Sequence, residues 1–136
     1  MTLRKRALLG APLLLAGACA QVPGPGCSSG QQAAVQDLLY FGTAMPGGTV
    51  TAEDWRLFLD TVVTPKFPEG LSVWPVAGQW KSAAGPIVRE GSFVLDLVHP
   101  EGAGHDAAIG EIVASYKARF RQEAVMRVRS PVCISF

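Results

Sequence analysis

The stretch IVREGSFVLDLVH, residues 87–99, decides the fold because it has the pattern of a strand that is apolar on both faces. Its large apolar residues fall on two sides: Phe93, Leu95 and Leu97 on one, Val94 and Val98 on the other. Such a strand needs cover on both sides, so we place it in the centre of a sheet.

Three further segments have strand character. Residues 35–43 are also apolar on both faces, with Leu38 and Tyr40 opposite Leu39 and Phe41, and form a second central strand. Residues 71–80 and 125–136 contain Pro75 and Pro131. Because proline donates no hydrogen bond to a neighbouring strand, we place these two segments at the sheet edges.

Two amphipathic helices separate the strands. Thr51 is the expected N-cap of the first helix, with Asp54 three residues later, and Pro65 ends that helix at residue 64. Its apolar stripe is Trp55, Phe58, Leu59, Val62 and Val63. The second helix begins near Asp106, and its stripe is Ile109, Ile112, Val113, Tyr116 and Phe120.

The element order is therefore βαββαβ over residues 34–136. This order predicts an α+β, ferredoxin-like sandwich with an antiparallel sheet in the order 4-1-3-2 and two helices on one face. Both proline-bearing strands then lie at edges and both doubly apolar strands in the centre. The helix-free face would carry some of Leu38, Tyr40, Phe93, Leu95 and Leu97, and we expect a second copy to cover it in a homodimer. Cover by the tether or by long loops is the alternative.

The N-terminus has the layout of a secretory signal. Arg4, Lys5 and Arg6 precede a short apolar run that ends in small residues, so residues 1–18 are predicted to be a signal peptide. Cys19 stands in a lipobox-like setting and is the predicted lipidation site; ordinary cleavage after Ala20 is the alternative. Residues 19–33 are rich in Pro, Gly, Ser and Gln, as in a flexible tether. The predicted location is the bacterial cell envelope, on the periplasmic side of a membrane and anchored by lipid, or secreted.

Cys27 and Cys133 remain if Cys19 carries lipid. They lie before the first strand and near the end of the last, and these two strands are neighbours in the predicted sheet. In an oxidising compartment we expect them to form a disulfide, with two unpaired thiols as the alternative.

Composition excludes several function classes. The chain has 12 basic and 11 acidic residues; without the three basic residues of the leader, the mature domain is mildly acidic, so no nucleic-acid partner is expected. His99, Glu101, His105 and Asp106 match no metal-ligand spacing and are interpreted as solvated loop residues. The basic residues near the C-terminus, Arg127 and Arg129 among them, are interpreted as a solvated face. No metal and no cofactor are predicted.

A few residues have chemical potential. Glu90, near Trp80 and Tyr40, is a weak candidate for a general acid or base. Gln79 and Trp80 together offer a stacking ring with a polar neighbour, which suits a sugar or peptide, although hairpin packing is the commoner use of such a tryptophan.

Several segments resemble a known bacterial family. YFGT at 40–43, TPKFPEGL at 64–71, GQW at 78–80 and YKARFRQEAV at 116–125 are similar to an exported family catalogued as domain of unknown function 3574, over roughly residues 37–136. Members of that family typically carry a leader or lipobox, and the resemblance implies no activity or ligand. With Tyr40, it directs attention to a candidate ligand-binding set: Gln79, Trp80, Glu90, Tyr116, Gln122 and Glu123.

The sequence thus favours a non-enzymatic envelope domain that binds a small ligand, an envelope polymer or a partner protein. The alternative is a small enzyme of the dimeric α+β barrel type, with Glu90 as acid or base in a pocket lined by Tyr40, Trp80 and Tyr116. A deep pocket containing Glu90 would favour the enzyme.

Overall fold

The computed structural model of the chain describes residues 26–136. The predicted leader, the lipidation site Cys19 and the first part of the tether lie outside the described residues. The elements are β1 (Gln32–Gly42), β2 (Ala44–Met45), β3 (Gly48–Thr49), α1 (Ala52–Phe58) with a π-helical turn (Leu59–Val63), β4 (Ser72–Lys81), β5 (Ile87–His99), α2 (Ala103–Phe120) and β6 (Met126–Ile134). Neither of the helices in residues 26–136 is long and apolar enough to cross a membrane.

The four long strands form one antiparallel sheet in the order β4-β5-β1-β6. The predicted α+β class, with a four-stranded antiparallel sheet and two helices, is confirmed. Pro75 lies on β4 and Pro131 on β6, the two edge strands, where a missing donor does least harm. The doubly apolar strands β1 and β5 are central.

The hydrophobic core lies between one sheet face and the helices. It joins Leu39 and Phe41 of β1 and Leu95 and Leu97 of β5 to buried residues of α1 and α2. Aromatic rings fill its centre: the rings of Phe41 and Tyr116 have centroids 4.6 Å apart. Each fully buried large apolar side chain contributes about 1.5–3 kcal/mol, so this layer supplies most of the fold's stability.

The first helix begins as its sequence predicts. The Thr51 hydroxyl accepts from the backbone N–H of Asp54, and the Asp54 carboxylate accepts from the backbone N–H of Thr51, which completes a capping box. The backbone N–H of Thr64 bonds the carbonyl of Leu59, which widens the last turn into a π-helix before Pro65 ends it.

The helix-free face carries two of the five apolar residues that the sequence suggested. Leu38 and Tyr40 lie there, but Phe93, Leu95 and Leu97 face the helices because they pair with Phe41, Leu39 and Asp37. The exposed apolar residues of this face, all between 37% and 56% exposed, are instead Trp74, Trp80, Val98, Met126 and Val128. We call these five residues the open-face patch.

A disulfide joins Cys27 to Cys133, with Cα atoms 5.6 Å apart. It lies beside the paired ends of β1 and β6, where Gln32 is opposite Ile134. Because β1 begins at Gln32 and not at residue 35, the last two residues of the predicted tether belong to the sheet.

A buried ionic cluster lies toward the disulfide end of the sheet, where His99 is opposite Val35, and here two sequence interpretations were wrong. His99 is not a solvated loop residue: it is buried at the end of β5 and its Nε2 lies 3.0 Å from Oδ2 of Asp37, which is fully buried. Arg127 is not part of a solvated face, because it donates to both oxygens of Asp37 and to Asp106. Neither role is visible in the sequence, because the partners lie 62 and 90 residues away from Asp37.

Candidate ligand-binding site

A pocket of about 430 Å³ opens on the helix-free face of the sheet, where β4, β5 and β1 meet the segment between α2 and β6. It is lined by Tyr40, Gly42, Val76, Ala77, Gly78, Gln79, Trp80, Glu90, Ser92, Gln122, Glu123, Ala124 and Met126. We call it the Trp80 pocket. Its volume lies within the range of small-molecule sites.

Six of the seven residues that the sequence singled out line this pocket. They are Tyr40, Gln79, Trp80, Glu90, Gln122 and Glu123. The seventh, Tyr116, lies in the core, and its hydroxyl donates to the carbonyl of Gly42 at 2.9 Å from the helix side of the sheet. Burial, with a smaller effect from Glu90 and Asp54, raises the pKa of the Tyr116 phenol, so it acts here as a donor.

The strand register explains how the pocket forms. Gly78 of β4 is opposite Glu90 of β5, and Gly42 of β1 is opposite Ser92. A Cβ atom on Gly42 would stand 2.8 Å from Oε1 of Glu90. Gly42 therefore leaves the space that the Glu90 side chain occupies on the sheet surface, whereas a Cβ atom on Gly78 would meet nothing within 4 Å.

Glu90 connects two walls of the pocket. Its Oε1 accepts from Nε1 of Trp80 at 2.8 Å, and its Oε2 accepts from the backbone N–H of Ala44 at 2.6 Å. Both carboxylate oxygens are thus engaged by donors of the protein itself. This carboxylate fixes the indole and the start of β2, and a general acid or base would need one oxygen directed at a substrate.

The wall formed by the segment between α2 and β6 is also held through Ala44, the residue whose N–H donates to Glu90. Gln122 donates from Nε2 to the carbonyl of Ala44 at 2.7 Å, and Arg121 donates to the carbonyl of Pro46 at 3.0 Å. Arg121 adopts a left-handed conformation, φ 52°, which ends α2 and turns the Gln122 side chain toward the β2–β3 hairpin. Ala44 is therefore held at its N–H by Glu90 and at its carbonyl by Gln122.

Sequence reasoning did not find all of the lining. Val76, Ser92 and Met126 enter the pocket through their register positions, and Gly42 and Gly78 through the space they leave. Strand alternation is a signal that could have found some of them, because it places Val76 on the face of Trp80 and Ser92 on the face of Glu90.

The pocket has a distinct polarity. Aromatic, aliphatic and thioether groups from Tyr40, Trp80, Val76 and Met126 supply apolar wall, and Gln79, Gln122, Glu90 and Glu123 supply polar atoms. None of the lining residues is Lys, Arg or His. No three His, Cys, Asp or Glu side chains gather in a metal-binding arrangement anywhere in residues 26–136. Such a surface suits a compact, largely apolar molecule.

Comparison with solved structures identifies similar folds. A phage SAM lyase in complex with S-methyl-5'-thioadenosine has 18% identity and a TM-score of 0.56, covering 80% of this chain and 92% of that chain. A phage SAM lyase in its apo state has 15% identity and a TM-score of 0.54, covering 82% of this chain and 94% of that chain. CutA from Synechococcus elongatus PCC7942 has 12% identity and a TM-score of 0.53, over 80% and 84%. At these identities the likeness is one of fold.

At the level of sequence, one family model matches the chain, over residues 36–136, and its description is "Protein of unknown function (DUF3574)". The resemblance drawn from residues 37–136 is thereby confirmed. No curated protein matches the chain in sequence.

Proposed function

Because the chain belongs to the family described as protein of unknown function (DUF3574), we propose from its own geometry that it is a non-enzymatic module that binds a small, largely apolar molecule in the Trp80 pocket. The observation that carries this proposal is the double engagement of Glu90, by Trp80 and by Ala44. The carboxylate that the sequence suggests for acid–base work, Glu90, is used to build the pocket wall.

A ligand screen by thermal unfolding tests the proposal. Ligands of the pocket should raise the midpoint temperature of unfolding of the wild-type protein and of Trp74→Ala, but not that of Trp80→Ala. Trp74 is the matched control, because it lies on the same sheet face with nearly the same exposure but outside the pocket. Equal shifts in Trp80→Ala and Trp74→Ala would contradict the proposal.

The second candidate is an enzyme of the dimeric α+β barrel type with Glu90 as general acid or base. The observation that favours it is the phage SAM lyase of similar fold, whose structure holds S-methyl-5'-thioadenosine. Chromatographic detection of S-methyl-5'-thioadenosine after incubation with SAM tests this candidate. If the wild type forms that product and Glu90→Gln does not, the protein is an enzyme and the proposed non-enzymatic binding function is wrong.

The finer fold assignment is also part of the proposal. We assign the domain to the ferredoxin-like βαββαβ sandwich with both helices on one face. Its sheet order is 4-1-3-2 when only the four long strands are counted in chain order, as β1, β4, β5 and β6. The strand order β4-β5-β1-β6 and the joint core of α1 and α2 with one sheet face support this assignment.

We further propose that two copies pair through their helix-free sheet faces. The open-face patch supports this pairing, because its three members outside the Trp80 pocket, Trp74, Val98 and Val128, are large exposed apolar side chains that favour removal from water. Light scattering should give a dimer at micromolar concentration, and Val128→Glu should give a monomer. Leu57→Glu is the control, because Leu57 is 41% exposed but lies on α1. A monomeric wild type would contradict the pairing.

We place the protein in the bacterial cell envelope, attached through lipid on Cys19. The basic and apolar order of the first 18 residues and the disulfide between Cys27 and Cys133 support export. Labelled palmitate should be incorporated into the full chain and not into Cys19→Ala. Absence of label from the wild type would exclude the anchor and leave secretion after ordinary cleavage.

A further inference from the structure

The charges in the Trp80 pocket are all of one sign. Glu90 and Glu123 line it, and the other eleven lining residues are uncharged at neutral pH. Glu123 lies between α2 and β6 and is exposed at the pocket, so it is free to meet a ligand. An anionic ligand would enter against two carboxylates with no cation to receive it.

The charge of Glu90 is not neutralised within the protein. Its two hydrogen-bond donors, the Trp80 indole and the Ala44 backbone, are both neutral. Within residues 26–136, neither Glu90 nor Glu123 has a Lys, Arg or His nitrogen within 4.0 Å. Asp37 shows the contrasting arrangement, since Arg127 and His99 surround it. The pocket therefore holds uncompensated negative charge beside apolar wall.

The apolar wall is also of a kind that attracts cations. Trp80 and Tyr40 carry electron-rich rings, and an indole is the side chain that binds cations best through its face. The bond from the Trp80 N–H to a carboxylate places further negative charge at the edge of that ring. Met126 adds a soft, polarisable thioether.

We infer that the ligand of the Trp80 pocket is an organic cation, an ammonium or a similar onium group on an apolar body. This inference rests on the proposed binding function and adds the charge class of the ligand. The aromatic and apolar side chains hold the body, and the carboxylates of Glu90 and Glu123 select the positive charge.

Three probes of nearly equal shape and different charge test the inference. They are (3-hydroxyphenyl)trimethylammonium, its neutral carbon isostere 3-tert-butylphenol, and the anion 3-hydroxybenzenesulfonate. Titration calorimetry on the processed protein, purified after removal of the predicted leader, should show the cation binding about tenfold more tightly than the neutral isostere. The anion should show no measurable heat of binding.

Two variants distinguish the effect of carboxylate charge in the pocket from the effect of surface charge elsewhere. Glu123→Gln should weaken binding of the cation about threefold and leave the neutral isostere unchanged. Glu69→Gln, which removes an exposed carboxylate outside the pocket, should change neither. Glu123 makes no hydrogen bond or ion pair to the rest of the described chain, so Glu123→Gln is expected to fold normally.

The outcomes distinguish the inference from the function on which it rests. Equal affinity for the cation and its neutral isostere, or binding of the anion, overturns the inference and leaves the Trp80 pocket as a binding site. Failure of every probe to bind overturns both. Loss of cation binding in Glu69→Gln to the same extent as in Glu123→Gln also overturns the inference, because it shows a general effect of surface charge.

Discussion

Arg127 on β6 reaches Asp37 on β1 with two hydrogen bonds, from Nε to Oδ1 at 2.6 Å and from Nη2 to Oδ2 at 2.8 Å. Asp37 has no exposed surface, so this carboxylate is desolvated and depends on its donors. The pair ties an edge strand to a central strand at the end of the core opposite the Tyr116–Gly42 bond.

Arg127→Met should lower the free energy of unfolding by about 3 kcal/mol. The substitution leaves the buried charge of Asp37 with His99 as its remaining side-chain donor, and a buried charge that has lost its partner is strongly destabilising. Urea denaturation measures the change. The control is Arg56→Met, whose partners Glu53 and Asp60 are exposed and whose loss should cost less than about 1 kcal/mol. Equal losses would mean that the Asp37 pair is no stronger than a surface pair.

Stability should fall steeply in acid because of the same carboxylate. Burial by itself raises the pKa of Asp37, but the hydrogen bonds from Arg127 and His99 outweigh it and hold the pKa below its ordinary value of 3.8. The unfolded chain therefore takes up the proton first, and the stability present above pH 3.8 is lost as the pH falls through the folded pKa.

Denaturation series between about pH 5 and pH 2 measure this acid dependence. Asp37→Asn should show a shallower decline, although not a flat one, because a hydrogen bond from Arg127 also lowers the pKa of Asp106. If the free energy of unfolding of Asp37→Asn fell with pH as steeply as that of the wild type, Asp37 would not be the cause of the loss of stability in acid.

Gly42→Ala should destabilise the protein by about 1–3 kcal/mol and disturb the Trp80 pocket. The added Cβ would meet Oε1 of Glu90 at 2.8 Å, so the end of this side chain must move and its hydrogen bonds from Trp80 and Ala44 are weakened or lost. The matched control is Gly110→Ala, which meets nothing within 4 Å in the interior of α2 and should stabilise by about 1 kcal/mol. Stabilisation by both substitutions would contradict the close approach of Glu90 to β1.

Glu90→Gln should also lower the free energy of unfolding, by about 1–3 kcal/mol. An amide has one acceptor oxygen and a donating nitrogen, so it can accept from Trp80 or from Ala44 but not from both in the same geometry. Thermal unfolding measures the loss, with Glu69→Gln as a control that should be neutral. A catalytic Glu90 held free for a substrate would instead be replaced at no cost in stability.

Much of the fold could be predicted from local patterns. The alternation of Leu38 and Tyr40 against Leu39 and Phe41 set the two faces of β1, and Thr51 with Asp54 set the start of α1. Pro75 and Pro131 indicate the edge strands, because proline has no N–H to donate to a neighbouring strand and is tolerated where one side of the strand is unpaired.

The faces of β5 could not be assigned from the same patterns. Phe93 and Val94 are both apolar, and only their pairing with Phe41 and Tyr40 decides which of them faces the helices. The sequence likewise suggests surface positions for His99 and Arg127, because the buried Asp37 that binds both is far away in sequence.

The candidate site was predicted as a set of residues but not as a geometry. Tyr116 was grouped with Trp80 and Glu90, yet it contacts Gly42 from the opposite side of the sheet. Gly42 contributes by lacking a side chain, and Ala44 contributes through its backbone N–H and carbonyl. A single sequence carries no chemical signal for either contribution.

The most direct test of the proposed binding function is the amount of small molecule that the purified protein carries in the Trp80 pocket. Organic extraction followed by mass spectrometry should release about one molecule of a compound per chain from the wild type and from Trp74→Ala. Trp80→Ala, confirmed as folded by circular dichroism, should release at least tenfold less. An empty wild type, or equal release from Trp80→Ala, would contradict the account.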